Sequence, residues 1–201
     1  MRQLALVASG LVFAAGGLAV LSGMGSASEV ATTSAAQADG FKIDAVHSFV
    51  FFKIQHKGVA YSGGRFNDIS GTFNLDAAKP EASTVNITLK VDSIDTANGK
   101  RDQHLKSGDF FSAKEFPQIT FTSTAVKAGS EPGTFEVGGD LTMRGTTKPI
   151  SIKVKETGRT ADNAGVWAEF TVKRSDFGVN FMVGKGLGDE VSLQVSLEGG
   201  K

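Results

Sequence analysis

The sequence of 201 residues contains no cysteine, which excludes disulfides, thiolate metal sites and cysteine nucleophiles. It also lacks an excess of either charge, since Lys and Arg total 21 and Asp and Glu total 21. Proteins that bind nucleic acid neutralise phosphates with a basic surface, so no nucleic-acid partner is expected. Tyrosine and tryptophan occur once each, against 15 phenylalanines. Phenylalanine adds apolar area without a polar group, so this composition favours apolar burial over polar recognition.

The N-terminus has the composition of an export signal. Arg2 precedes an uncharged run over residues 4–21, and small residues follow, with small-x-small sequences that end at Ala27 and Ala38. This pattern predicts a signal peptide over residues 1–27, with cleavage as late as residue 38 as a second option. An uncleaved membrane anchor is the alternative, because the run is close to the ~18-residue minimum for a spanning helix.

The remaining chain divides into a linker and one domain. Residues 28–40 are rich in Ser, Ala and Thr, which is typical of a flexible linker. Residues 41–199 are long enough to bury a core without disulfides and are predicted to fold as one domain. Export by the signal peptide would deliver this domain to the periplasm or to the outside of the cell.

Apolar residues recur at every second position through most of the domain. Val85, Ile87 and Leu89, for example, alternate with polar residues, which indicates a half-buried strand. Turn sequences separate such segments and little helix lies between them, so the pattern predicts an all-β, antiparallel meander that closes as a barrel or stacks as a sandwich. The eight predicted strands lie at residues 48–56, 66–75, 85–91, 119–126, 135–143, 150–154, 166–172 and 191–197.

One helical insert is predicted between the third and fourth strands, over residues 98–107. Asn98 can cap its start, and Gly108 can take the left-handed position after its end. A second short turn is predicted at residues 112–115. Residues 49–54 carry apolar side chains on both faces, so one face needs cover. We therefore expect the insert to pack on the outside of the sheet or to plug one end of it.

An eight-stranded barrel has an interior that side chains fill or that holds one slender ligand. The inward-facing set would be Val, Ile, Leu and Phe with almost no charge, so a ligand would have to be apolar and elongated. The predicted ligand-binding residues are Val50, Phe52, Ile54, His56, Ile87, Leu89, Ile119, Phe121, Leu141, Met143, Ile152, Val154, Phe170, Val172, Leu193 and Val195.

Five polar residues are candidates for the cavity mouth or for contact with a ligand head group. Arg101, Asp102 and His104 lie within one predicted helical turn, and as a set they can hydrogen-bond across to loops or to an anionic head group. The alternative is that these three residues cap the insert and dock it on the barrel. Arg174 and Lys185 complete the candidate set.

The sequence gives little support to catalytic or metal chemistry. His47 and His56 fall on opposite faces of one predicted strand and His104 lies on the helix, so no metal site is predicted. The glycine-rich run at residues 184–188 lacks the spacing of a phosphate loop and is predicted to be a flexible loop at the barrel mouth. No Ser-His-Asp set can be identified, so no catalytic residue is assigned.

Short motifs spread over the whole domain resemble those of one family. In order they are Asp44-Ala45-Val46-His47-Ser48, Gly64-Arg65-Phe66, Arg101-Asp102-Gln103-His104-Leu105, Phe116-Pro117-Gln118-Ile119, Gly139-Asp140-Leu141-Thr142, Arg174-Ser175-Asp176-Phe177-Gly178 and Gly188-Asp189-Glu190-Val191. This set resembles the YceI-like family of lipid or polyisoprenoid binders. The resemblance implies an exported, lipocalin-like, eight-stranded antiparallel barrel with a long-chain amphiphile in an elongated apolar pore.

Pattern and resemblance together predict a non-catalytic protein that binds, carries or sequesters a long-chain apolar lipid in the cell envelope. A polyisoprenoid or an isoprenoid quinone is the expected ligand, with no other cofactor and no metal. One alternative is an enzyme that modifies an isoprenoid at the mouth, with His56, His104 or Asp102 as acid or base. Another is a structural envelope or stress protein with a filled barrel. Transient membrane contact and the oligomeric state, including a homodimer, are left open.

Overall fold

A computed structural model describes residues 40–201 of the chain. The predicted signal peptide and nearly all of the predicted linker lie outside these residues, and both stay predictions. The strands are β1 (Phe41–Ile43), β2 (Phe49–His56), β3 (Ala60–Phe66), β4 (Ile69–Asn74), β5 (Thr84–Lys90), β6 (Ile94–Asp95), β7 (Gln118–Ala128), β8 (Thr134–Met143), β9 (Thr146–Arg159), β10 (Asn163–Lys173) and β11 (Leu187–Gly200). The α-helix is α1 (Gly99–Lys106), and short 3-10 helices span Pro80–Ala82, Val91–Ser93 and Arg174–Phe177.

The 11 strands form eight barrel strands, because each of the first three barrel strands is built in two parts. β1 and β2, for instance, both pair with β11, at Lys42 opposite Gly200 and at Phe49 opposite Ser196. β3 with β4 and β5 with β6 are divided in the same way. Every barrel strand pairs antiparallel with its neighbours in sequence, and β11 returns to the first. The predicted eight-stranded antiparallel barrel is confirmed.

The helix lies where the sequence predicts it, between the third and fourth barrel strands. The Asn98 side chain accepts a hydrogen bond from the Arg101 backbone N–H at 3.1 Å, so the predicted N-cap is confirmed. The prediction for Gly108 is wrong, because this residue is not left-handed. Ser107 ends the helix instead: its N–H and its hydroxyl both donate to the His104 carbonyl, and the chain leaves in an extended conformation. Within residues 40–201, no helix has the length and apolar character needed to cross a bilayer.

The insert around α1 covers one end of the barrel, which is the second of the two predicted arrangements. Leu105, Phe110 and Phe111 face the barrel interior from this insert. Arg144, in the turn between β8 and β9, donates to the carbonyls of Gly108 and Phe110, both at 2.7 Å. These bonds hold the insert against the barrel rim.

The outer face of β2 is therefore not covered by the insert, and that expectation is wrong. Phe49 and Phe51 instead contact each other, with ring centroids 4.6 Å apart, and the Phe49 ring also meets Trp167 edge-on at 6.0 Å. The Arg65 guanidinium lies over the Phe51 ring at 5.6 Å. An aromatic cluster with a cation above it gives these side chains apolar contacts without a covering element.

The opposite end of the barrel is closed by packed phenylalanines. Phe41, Phe73 and Phe135 are each at most 2% exposed, and the Phe41 and Phe73 ring centroids lie 5.8 Å apart. A Cβ atom at Gly199 would lie 2.8 Å from the Cβ atom of Phe41 and 2.8 Å from the ring of Phe73. A glycine is therefore needed where β11 crosses these two side chains. We call this the closed end, and the end covered by α1 the open end.

Candidate functional site

The barrel encloses a cavity of about 420 Å³. Inward-facing side chains from all eight barrel strands form its walls, together with residues of the α1 insert and of the segment that leads to β11. The volume lies within the ~300–1,000 Å³ range of small-molecule sites. Arg101, His104 and Phe181 line the cavity and are also exposed, so the cavity opens beside them at the open end.

All of the ligand-binding residues predicted from the sequence lie on the cavity wall, and their contact with a ligand stays a prediction. They are Val50, Phe52, Ile54, His56, Ile87, Leu89, Ile119, Phe121, Leu141, Met143, Ile152, Val154, Phe170, Val172, Leu193 and Val195. Strand alternation explains this result, because the side-chain period of two puts each set on one face of the sheet.

The sequence reasoning missed wall residues outside the regular strand centres. Leu105, Phe110 and Phe111 come from the insert, and Val179 and Phe181 come from the loop before β11. These segments have no strand periodicity, so pattern alone gave no direction to their side chains. The apolar residues of the insert, Leu105 and Phe110, were the available signal.

Phe52 shows how the barrel keeps space beside an inward-facing ring. Its partner across the strand pair is Gly64, and a Cβ at Gly64 would lie 2.8 Å from the Phe52 ring and 2.6 Å from the Asp95 carbonyl oxygen. A glycine is therefore required at this close approach. The Phe52 and Leu193 side chains pair across β2 and β11, yet both are only half-buried, because they border the cavity.

The polar residues of the cavity wall are concentrated at the open end. His56 ends β2, Arg101 and His104 lie on α1, and Arg174 follows β10. Among the described wall residues there is no Asp or Glu. The cavity is thus apolar along its length and carries cationic and imidazole groups at its mouth, an arrangement that matches an amphiphile with an apolar chain and an oxygen-bearing head.

Arg174 is the most buried charged residue of the site, with 4% exposure. Its Nε donates to the Gly188 carbonyl at 2.8 Å, and its Nη1 donates to the carbonyls of Val179 and Phe181 at 2.8 and 2.9 Å. Its Nη2 is buried and has no hydrogen-bond partner among the described residues. Burial lowers the pKa of the Arg174 guanidinium, and the charge of Asp189 opposes that effect. A buried N–H group without a partner is costly and is suited to an acceptor on a ligand.

Asp189 follows Gly188, whose carbonyl accepts from Arg174, but the Asp189 carboxylate does not form an ion pair with Arg174. Its carboxylate accepts hydrogen bonds from the Ser175 N–H and hydroxyl, at 3.0 and 2.7 Å. Burial raises the pKa of Asp189, whereas the bonds from Ser175 and the charge of Arg174 lower it, and the lowering effects are larger together. Asp189 therefore holds the start of β11 to the 3-10 helix after β10.

Two predicted mouth residues lie away from the cavity wall. Asp102 accepts from the backbone N–H and the hydroxyl of Thr96, and Arg101 donates to the hydroxyl and carbonyl of the same residue. Asp102 thus serves to dock the insert, which is the alternative weighed for this group. Lys185 lies in an exposed turn before β11 and does not line the cavity.

The three histidines do not come together. His104 Nε2 lies 2.8 Å from the Asp109 carboxylate, and its ring meets Phe110 and Phe181 edge-on, each at 5.0 Å. His56 also lies at the open end, whereas His47 lies at the closed end, before β2.

At the closed end, His47 pairs with Asp44 on the surface, at 2.8 Å between Nδ1 and Oδ2. The hydrogen bond to Asp44 raises the pKa of His47, and the same bond lowers the pKa of Asp44. Ligand atoms of Asp44, His47 and Glu198 lie within 4.8 Å of one another, and no metal is implied by this exposed group alone.

Arg144 is a structural residue of the site that sequence reasoning did not identify. It adopts a left-handed conformation with φ of 48° and donates to three carbonyls, including that of Gly178 at 3.0 Å. An arginine in a tight turn, where Asn or Gly is usual, was the signal available.

Comparisons with known proteins agree with this geometry. The family model for the YceI-like domain matches residues 41–199. Protein YceI of Salmonella arizonae is 41% identical over 180 residues, which cover 86% of this chain and 93% of that protein. The structure of the Campylobacter jejuni YCEI protein is 29% identical, with a TM-score of 0.66 over 74% of this chain and 90% of that chain.

Two further solved structures share the fold at lower identity. Burkholderia cenocepacia BcnA has a TM-score of 0.72 at 24% identity, over 78% of this chain and 98% of that chain. A polyisoprenoid binding domain from Saccharophagus degradans has a TM-score of 0.67 at 16% identity, over 81% of this chain and 99% of that chain. The same barrel therefore occurs in proteins whose sequences have diverged widely.

Proposed function

The chain belongs to the YceI-like family, and from this premise we propose that its barrel binds one long-chain apolar lipid, such as a polyisoprenoid or an isoprenoid quinone. The observation that carries the proposal is a cavity that is apolar along its length, closed by phenylalanines at one end and polar only at its mouth. The polyisoprenoid binding domain of Saccharophagus degradans, which shares the fold, supports the choice of ligand class.

Burial of the lipid chain supplies the affinity in this proposal. Each methylene removed from water contributes ~0.8 kcal/mol, so ten of them contribute about 8 kcal/mol. Association and ordering cost ~4–15 kcal/mol. A chain of several prenyl units exceeds this cost, whereas a short fatty acid barely does. We therefore expect affinity to rise with chain length until the cavity is filled.

The lipid head group lies at the open end in this proposal. Arg174 Nη2 is the donor best suited to it, because it is buried and has no partner among the described residues. His104 and Arg101 line the opening next to it. A phosphate, carboxylate or quinone oxygen at this position would accept the hydrogen bond that Nη2 does not make within the chain.

The proposed role is non-catalytic carriage or sequestration of the lipid in the periplasm or outside the cell. The location rests on the predicted signal peptide over residues 1–27. The role is supported by the binding domain from Saccharophagus degradans that shares the fold, and by Asp102, which docks the insert through Thr96 and does not line the cavity. Incubation with candidate lipids should therefore yield bound lipid and no modified product.

Extraction of the purified, exported protein with organic solvent, followed by mass spectrometry, tests the proposal. We expect stoichiometric lipid with a long apolar chain, and intact mass will give the mature N-terminus. Phe52→Asp puts a charge into the cavity and should abolish lipid retention. Phe51→Asp is the matched control, because Phe51 is the neighbouring residue on the outer face.

Circular dichroism establishes that both variants are folded before their lipid content is compared. Equal lipid content in folded Phe52→Asp and Phe51→Asp would contradict the proposed pore. Absence of lipid from the wild-type protein, together with no binding of added prenyl lipids, would favour the alternative of a structural module.

A further inference from the structure

Exposed apolar side chains lie at the open end of the barrel, beside the mouth of the cavity. Val59 is 85% exposed in the turn between β2 and β3, and Phe181 and Met182 are 37% and 40% exposed in the loop before β11. Scattered exposed apolar residues are common, but a group of them beside an opening is typical of an interaction surface. Lys57 and Lys185 lie exposed in the same two segments. We call these five residues the mouth rim.

The two segments of the mouth rim form one surface. The Lys57 N–H donates to the Gly186 carbonyl at 2.7 Å and joins the turn after β2 to the loop before β11. A Cβ at Gly186 would lie 3.7 Å from the Met182 methyl and 3.8 Å from Lys57 Cγ, so both side chains pass close to Gly186. Lys57 and Met182 both have positive φ, which is typical of residues in tight turns.

The mouth rim is continuous with the cavity. Phe181 both lines the cavity and is exposed, and its ring contacts His104 and Phe110 of the insert, with centroids 5.0 and 5.1 Å apart. A surface docked on the rim would therefore touch the residues that cover the opening. This position is where an apolar lipid could pass into the cavity without crossing bulk water.

The charges of the mouth rim identify the kind of surface it fits. Both charged members of the rim are lysines, and two nearby carboxylates are hydrogen-bonded within the chain: Asp189 to Ser175, and Asp109 to His104. Glu190 is the exposed acidic residue next in the chain, on β11. Apolar side chains flanked by lysines match the interface of a bilayer that contains anionic lipids, where the apolar groups enter the head-group region and the lysines meet lipid phosphates.

We propose that the mouth rim docks the barrel on the surface of an anionic phospholipid bilayer, and that cargo enters and leaves the cavity there. The proposal rests on the proposed lipid-binding function and adds the partner and the face of contact. Val59 and Met182 enter the interface, and Lys57 and Lys185 provide attraction that falls with added salt.

Flotation of the protein with vesicles of phosphatidylglycerol and phosphatidylcholine at low salt tests the docking. Wild-type protein should float with these vesicles and much less with vesicles of phosphatidylcholine alone. Val59→Asp combined with Met182→Asp should weaken vesicle binding at least about tenfold. Val46→Asp is the matched control, since Val46 is also 85% exposed but lies before β2, at the closed end.

Charge reversal tests the electrostatic part. Lys57→Glu and Lys185→Glu should each weaken binding about fivefold or more at low salt, because one lysine near an anionic surface contributes about that factor. Lys79→Glu, an exposed lysine in the loop between β4 and β5 at the closed end, should have no comparable effect.

Three outcomes would overturn the docking proposal. One is failure of the wild-type protein to bind anionic vesicles at low salt, and another is equal loss in the Val46 and Val59 variants. The third is a rim variant that halves the mass measured by light scattering, which would assign the rim to a second copy of the chain. Lipid content of the same samples separates the two proposals, because retained lipid without vesicle binding contradicts only the docking.

Discussion

The two ends of the barrel use the same kinds of side chain to opposite effect. At the closed end, Phe41 and Phe73 are fully buried against each other, whereas Phe52 and Phe170 face the interior nearer the open end and are only half-buried. The difference arises because phenylalanines fill the closed end, while a separate helical insert covers the open end from the rim. Side chains at the closed end therefore contribute mainly to the stability of the barrel, whereas side chains nearer the open end border the space for a ligand.

The largest expected effect is on the stability of the closed end. Phe135→Ala should lower the free energy of unfolding by about 3–5 kcal/mol, because Phe135 does not line the cavity and its loss leaves a new void among packed neighbours. Phe170→Ala should cost less than about half of that, because its ring already borders an open space. Urea denaturation of the two variants measures both values, and equal losses would contradict the division between the ends.

A smaller effect is expected where the wall is tight around the cavity. Gly64→Ala should lower the free energy of unfolding by about 1–3 kcal/mol, because the new methyl group meets Asp95, Thr96 and Phe52 at 2.6–2.8 Å. The Phe52 ring is a side chain that can move away from the new methyl group. Because this ring lines the cavity, its shift should also reduce the amount of lipid bound. Gly99→Ala, with nothing within 4 Å of the added group, is the control and should lower neither quantity, because an alanine at this first position of α1 is tolerated.

At the mouth, Arg174→Gln should separate head-group recognition from chain burial. We expect the affinity for a prenyl phosphate to fall about tenfold relative to the affinity for the corresponding prenol, because a charge-assisted hydrogen bond is lost. Fluorescence competition with the two ligands measures this ratio. Since Arg174 also holds three carbonyls, thermal unfolding must be recorded alongside, and a uniform loss for both ligands would indicate a purely structural role.

The smallest effect concerns the exposed pair at the closed end, which should influence stability alone. The pKa of His47 is raised in the folded state, so protonated His47 stabilises the fold fully below pH 6.5, the pKa in the unfolded chain. This contribution is lost as pH rises through the folded-state pKa. The pKa of Asp44 is lowered in the folded state, so ionised Asp44 stabilises the fold fully above pH 3.8, the pKa in the unfolded chain. This contribution is lost as pH falls through the folded-state pKa. His47→Gln should therefore lower the melting temperature slightly between pH 3.8 and 6.5, and this effect should diminish as pH rises through the folded-state pKa of His47.

Local pattern predicted those features that depend on local physics. The period of two in residues such as Val85, Ile87 and Leu89 gave the strands and the inward face, and Asn98 gave the helix start. Periodicity cannot tell an inward residue that is packed from one that borders a cavity, so Phe135 and Phe52 look alike in the sequence. That distinction depends on which segments meet at each end of the barrel.

The features that were not predicted depend on long-range contacts or on hydrogen bonds within turns and at the end of the helix. Arg144 acts through carbonyls of segments more than 30 residues away in the chain. The break between β1 and β2 follows from Asp44, whose carboxylate accepts from the Val46 N–H and turns the chain. Gly108 was expected to end the helix, but the Ser107 hydroxyl made a left-handed residue unnecessary.

The division of the first three barrel strands into short parts has a consequence for motion. β1 has 3 residues and β6 has 2, whereas β9 and β11 have 14 each, so far fewer ladder bonds must break for the short parts to separate. Local unfolding is easiest where few hydrogen bonds are lost. Amide hydrogens of β6, which pairs with β3 alone, should therefore exchange with solvent before those of β9 and β11, and local opening of the barrel wall should begin on the side of β6.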